Sequence, residues 1–230
     1  MTTHRGRWAL FTGLLLASPG LTSPAQAQAP TGEAALSGYQ PTGAIGTFAW
    51  YANGSYFAGP STLSANAFMP GIAVSLALTP SFSVGAWGMT GPFGGALGGV
   101  VGPFTNADLE GKFRLAQGPA GALTGDAGIA VRSIGVGDLS SPRLVGVSPK
   151  LGAIFDMRLA GPVFMQVRGD WAPFMFLDGA RTDLFDYKLG FGWRLFQGLG
   201  VDVGLRGQTA IAPTNTLSLN GPYLGFGYVF

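Results

Sequence analysis

The residues of this chain that could do chemistry are mostly charges, and they recur two positions apart. Asp108, Glu110, Lys112 and Arg114 form one such run, and Lys150, Asp156 and Arg158 share another phase. The pattern returns at Arg168 and Asp170, at Asp186, Lys188 and Arg194, and at Asp202 and Arg206. A period of two sets a group on one face of a β-strand. What the chain lacks bounds the chemistry too. It has no Cys and a single His, His4. A general base poised near neutral pH is most often His, and structural zinc needs His or Cys. A Ser–Lys pair remains formally open, but Lys112, Lys150 and Lys188 each share a face with acids. Asp138, Asp178 and Asp183 match no calcium-loop spacing. "GPFGGALGGV", from Gly91, lacks the Lys-Ser/Thr of a phosphate loop. The reading is a protein that is not an enzyme, with no catalytic residue, metal or cofactor, whose charges serve one another.

Apolar side chains occupy the opposite phase. Leu109, Phe113 and Leu115 alternate with the first charged run, and Leu151, Ala153, Phe155, Met157 and Leu159 with the second. Such segments recur at about 45–58, 66–78, 81–91, 105–116, 122–134, 149–160, 162–175, 184–196, 199–211 and 217–230. They predict ten antiparallel strands, with eight as the runner-up count. Connections after the even segments are tight: Thr79-Pro80, "QGPAG" from Gln117, "AGP" from Ala160 and "FQG" from Phe196. Those after the third and fifth are long: "GPFGGALGGVVGPF" from Gly91 and "GVGDLSSPRLVGVS" from Gly135. "NGP", Asn220 to Pro222, interrupts the phase of the last segment. A one-residue slip swaps the two faces of a strand, so each tight hairpin needs an odd loop. With odd loops Lys112 stands opposite Asp126. Asp156 lies diagonal to Arg168, Lys150 to Asp170, and Arg194 to Asp202.

The N-terminus reads as an export signal. His4, Arg5 and Arg7 precede an apolar run, Trp8 to Ala17, and an Ala25-Gln26-Ala27 cleavage site. The run is far short of the roughly 20 residues of a spanning helix. The expected organisation is a signal peptide at 1–27, a flexible lead-in at 28–43 and a barrel at 44–230. Loss of Arg5 and Arg7 leaves eleven bases against eleven acids, which gives no footprint for nucleic acid. Charged residues are 10% of the chain, against about a quarter in soluble domains, and 39 residues are Gly. An exported, charge-poor chain with alternating segments and no spanning helix predicts an all-β, up-and-down transmembrane β-barrel. Its apolar face meets lipid and its charges line the lumen. The alternative is a soluble exported β domain with the faces reversed. Aromatics near strand ends suit interfacial girdles: Trp50, Tyr51, Phe82, Trp171, Phe174, Phe176, Trp193, Phe196, Tyr223 and Phe230.

The signal, the alternating strands and the terminal "GFGYVF" together resemble a small bacterial outer-membrane β-barrel of the OmpA-type class. The resemblance implies that the barrel-assembly machinery reads the last strand, through Leu224, Phe226, Tyr228 and Phe230. It implies a monomer in the outer membrane, surrounded by lipid and lipopolysaccharide. About sixteen charges fall on the inward phase. Lys112, Arg114, Asp126, Arg132, Lys150, Asp156, Arg158, Arg168, Asp170, Asp186, Lys188, Arg194, Asp202 and Arg206 are expected to form a lumen network. Paired, they make a plug, and function passes to the extracellular loops. The alternative is a narrow channel for water or small ions, with space left by the inward Gly128, Gly152, Gly190, Gly192 and Gly204.

Overall fold

In a computed structural model, residues 43–58, 61–95, 100–135, 143–177, 180–196 and 198–230 are described; the signal and most of the lead-in lie outside them. Ten strands follow one another: β1 (Gly43–Ala58), β2 (Ser61–Thr79), β3 (Phe82–Gly95), β4 (Val100–Gly118), β5 (Gly121–Gly135), β6 (Arg143–Ala160), β7 (Val163–Leu177), β8 (Ala180–Phe196), β9 (Leu199–Ile211) and β10 (Asn215–Val229). Each pairs antiparallel with its chain neighbours, and β1 pairs with β10 to close a barrel. Closure satisfies every edge. It also ties down the chain end, because Gly43 and Phe230 exchange backbone hydrogen bonds of 3.0 and 2.9 Å.

One end of the barrel carries these two residues and four two-residue turns. The turns join Thr79 to Phe82, Gly118 to Gly121, Ala160 to Val163 and Phe196 to Leu199. A two-residue turn alone would set outward residues opposite inward ones. Each hairpin corrects this with a one-residue β-bulge just before the turn, and the bulged residue is Leu in all four: Leu78, Leu115, Leu159 and Leu195. The odd loops expected from the sequence are therefore two-residue turns plus a bulge, which has the same parity.

The faces fall as the barrel reading requires. Leu109, Leu115, Leu151, Phe113 and Phe226 are each half or more exposed on the outer wall, while Asp108, Glu110, Lys112, Asp126, Arg132 and Lys150 are buried within. Hydrocarbon cannot solvate a charge, and Lys or Arg on a lipid-facing strand costs about 2–4 kcal/mol at mid-depth. The same side chains inside find partners.

Three expectations need correction. Trp50 and Tyr223 belong to no girdle; both are buried in the lumen, because each shares the inward phase of its strand and only Tyr51, the neighbour of Trp50, points out. The stretches expected as long loops are largely strand: Gly91–Gly95 extends β3, Val100–Phe104 begins β4, and β6 begins at Arg143. There the ladder runs on past the apolar band, interrupted by a register shift between Pro92 and Phe93. Asn220-Gly221-Pro222 does not break β10. The register with β9 is continuous from Thr216 to Tyr228, and only the ladder to β1 skips Gly221 and Pro222, because Pro has no N–H to give.

Candidate functional site

The lumen is filled in layers. In the half of the barrel away from the turns, every strand sends at least one buried side chain inward. In strand order these are Trp50, Met69, Met89, Asn106, Ala130, Ser148, Ala172, Leu184, Gln208 and Leu219. Lateral pairing joins them in five couples: Trp50 with Met69, Met89 with Asn106, Ala130 with Ser148, Ala172 with Leu184 and Gln208 with Leu219. Asn106 Nδ2 donates across the bore to Gln208 Oε1 at 3.3 Å. A water-filled pore would leave its lining accessible, and here none of the ten side chains is more than 4% exposed. The layer is a seal.

Two charge clusters adjoin it, mostly on the turn side, with Arg132 level with Asn106 and Asp108 with Ala130. The larger joins four acids to four bases. Lys150 Nζ sits 2.9 Å from Asp108, 2.6 Å from Glu110, 3.5 Å from Asp126 and 3.7 Å from Asp170. Arg132 meets Asp108 at 2.5 Å and Lys112 meets Glu110 at 2.8 Å. Arg168 bridges Glu110, Asp126 and Asp170. The smaller joins Arg206 to Asp186 and Lys188 to Asp202, each at 2.6 Å. The Arg206 guanidinium also lies 4.3 Å from the Trp87 ring centre and 5.4 Å from that of Trp50, and Lys188 Nζ lies 4.4 Å from that of Tyr223. These rings supply cation–π attraction, and Trp50 joins the smaller cluster to the seal.

At the turn end, Asp156 accepts a 2.8 Å hydrogen bond from Gln166 Nε2. Arg114 donates to Gln117 at 2.7 Å, and Arg194 faces the Phe164 ring at 5.6 Å. A cavity of about 860 Å³ occupies this half of the lumen. Its lining includes Phe48, Trp87, Glu110, Arg158 and Arg194, and the turn residues Gly161, Pro162 and Gly198. It is a vestibule whose lining runs from the turns up to the charge clusters, at Glu110, Asp170 and Arg206.

The structure thus brings most of the expected charges together but pairs them differently. Lys112 does stand opposite Asp126 in register, yet its ammonium goes to Glu110. Lys150 meets Asp170 as its diagonal position suggests. Arg168 turns from Asp156 towards Glu110 and Asp170, and Asp202 takes Lys188 in place of Arg194. Asp108 and Glu110 were legible as inward residues, but their part as the hub was not, because that depends on contacts across the bore. The inward glycines are not vacant either. A Cβ on Gly152 would strike Asp170 and Asp126, one on Gly190 the Tyr223 hydroxyl, and one on Gly192 the Phe164 ring. Gly128 and Gly204 lie against the backbone of Leu109 and Leu189. These glycines admit large neighbours; they do not widen a channel. On the outer wall Leu224, Phe226, Tyr228 and Phe230 are all exposed, in one row up β10 and its end.

No protein-family model matches the chain, and no curated protein matches its sequence. Solved structures do match. The outer membrane protease OmpT of Escherichia coli aligns at 11% identity over 83% of this chain and 98% of its own, with a TM-score of 0.61. The beta domain of the Bordetella autotransporter BrkA aligns at 14% identity over 81% of this chain and 100% of its own, with a TM-score of 0.50. At these identities the likeness is one of fold, and the fold of this chain is the closed, ten-stranded antiparallel barrel of outer-membrane proteins.

Proposed function

We propose that this chain is a bacterial outer-membrane barrel with a sealed lumen, that it performs no catalysis, and that its role is structural or is carried by its extracellular connections. The turn end then faces the periplasm, where such barrels keep their short turns, and the vestibule opens inward to that compartment. The greasy outer wall and the charged interior support the location. The observation that carries the function is the seal, to which all ten strands contribute a buried side chain. Ten strands are only slightly more than the eight that side chains just fill.

Planar-bilayer recording of the refolded protein tests this. The expected result is silence across ordinary voltages, with heat-modifiable migration on a detergent gel showing that the barrel is folded. Steady openings from the folded protein would make it the narrow channel instead, and hydrolysis of a peptide or lipid substrate would overturn the non-enzymatic reading.

A further inference from the structure

The two inner charge clusters balance. Asp108, Glu110, Asp126 and Asp170 face Lys112, Arg132, Lys150 and Arg168, and Asp186 and Asp202 face Arg206 and Lys188. The remaining inward charges are at the turn end, and there three bases, Arg114, Arg158 and Arg194, stand with one acid, Asp156. Among the described residues none of the three has an ion pair, although Lys112, Arg132, Lys150, Arg168, Arg181, Lys188 and Arg206 all do. Among the described residues, the surplus of positive charge in the lumen lies at the turn end.

The placement is repeated, and folding does not require it. Each Arg is the last inward residue before a bulged Leu: Arg114-Leu115, Arg158-Leu159 and Arg194-Leu195. Each is held at the same level by its backbone N–H, which donates to a turn carbonyl of the neighbouring hairpin. The acceptors are Ser81 O at 2.9 Å, Ala120 O at 2.8 Å and Pro162 O at 3.0 Å. The fourth hairpin, β2 to β3, has the same bulged Leu but Ala77 at the equivalent position. Arg is therefore not needed to close a turn, and three like charges in one rim oppose one another unless something neutralises them. Arg158 and Arg194 line the vestibule, whose volume lies within the range of small-molecule pockets. Guanidinium groups suit carboxylate and phosphate.

We propose that the vestibule binds a small polyanion carrying two or more carboxylate or phosphate groups, held by Arg158 and Arg194 in its lining, with Arg114 adding positive charge on the same rim. Access from the periplasm rests on the orientation proposed above; the binding itself does not, and is tested separately from conductance. The full chain is refolded in dodecyl maltoside and titrated with citrate and with pyrophosphate, by calorimetry and by tryptophan fluorescence, which Trp87 in the vestibule wall reports. Saturable binding is expected, weakening as salt rises. The triple variant R114A/R158A/R194A should lose about tenfold or more in affinity while keeping heat-modifiable migration, and R181A, at the other end, should bind as wild type. Absence of saturable binding by the wild type, or unchanged affinity in the folded triple variant, overturns the proposal. Repeating the titration in nanodiscs separates two sources of the anion. Citrate binding in phosphatidylcholine discs that persists in phosphatidylglycerol discs indicates a soluble ligand. Competition by phosphatidylglycerol, lost in the triple variant, indicates that a lipid headgroup fills the same site.

Discussion

Lys150 shows what a single residue does in this lumen. Its ammonium is within ion-pair distance of four carboxylates from β4, β5 and β7, so one side chain neutralises acids from the strands on both sides of its own. Taking one member out of a buried charge group leaves the others unpaired, which typically costs about 3–5 kcal/mol. Lys150→Met keeps most of the volume and removes the charge. It is expected to lower the unfolding free energy of the barrel in phospholipid vesicles by an amount in that range, read as a lower urea midpoint at unchanged slope. Glu110→Gln removes an acid that three bases share, Lys112, Lys150 and Arg168, and should destabilise as well. The paired change Lys150→Met/Glu110→Gln should cost less than the two separate changes together, because each removes a charge that the other leaves stranded. Alternation in the sequence was enough to say that these residues face inward. It did not say who meets whom, since a charge two strands away in sequence can be the nearest neighbour across a closed bore.

At the scale of the element, the bulged leucines explain how tight turns and constant faces coexist. The period of two was legible through the middle of the chain, and with it the expected ten strands and the need for odd loops. The bulge itself was not legible, because a two-residue turn with one bulge and a three-residue loop have the same parity. The long stretches after β3 and β5 were misread for a related reason. Gly-rich sequence signals a loop locally, yet Gly91–Gly95, Val100–Phe104 and the residues from Arg143 on extend paired strands because the partner strand is already in place. The parity argument yields a prediction. Deleting Leu159 shortens the β6–β7 hairpin by one residue, so that either the bulge is lost and one strand turns its charged face to lipid, or the turn must be rebuilt. The deletion should abolish heat-modifiable folding, while Leu159→Ala, which keeps the count, should fold with a modest loss of stability.

For the whole molecule the deciding feature is the order of layers along the bore: a seal, then balanced charge, then an open vestibule with a positive rim. No segment of sequence carries that order. Trp50 read as a girdle residue because an outward aromatic, Tyr51, stands beside it, and only closure of β1 on β10 shows that Trp50 and Leu219 belong to one inner layer. On the sealed-lumen proposal the upper layer is what stops ions, since the vestibule at the turn end is already roomy. Cutting the seal should therefore open the barrel, and enlarging the vestibule should not. Trp50→Ala/Leu219→Ala removes two fully buried side chains of that layer and should convert a silent barrel into one with steady, small openings in planar bilayers. Because the ions must then pass Arg158 and Arg194 at the mouth, the reversal potential in a salt gradient should indicate anion preference, and Arg158→Ala/Arg194→Ala on the opened background should reduce it. Phe164→Ala, which widens only the vestibule, should stay silent. If the folded Trp50→Ala/Leu219→Ala barrel remained as tight as the wild type, the closure would have to lie in the charge clusters, and the layer of ten side chains would be packing rather than a gate.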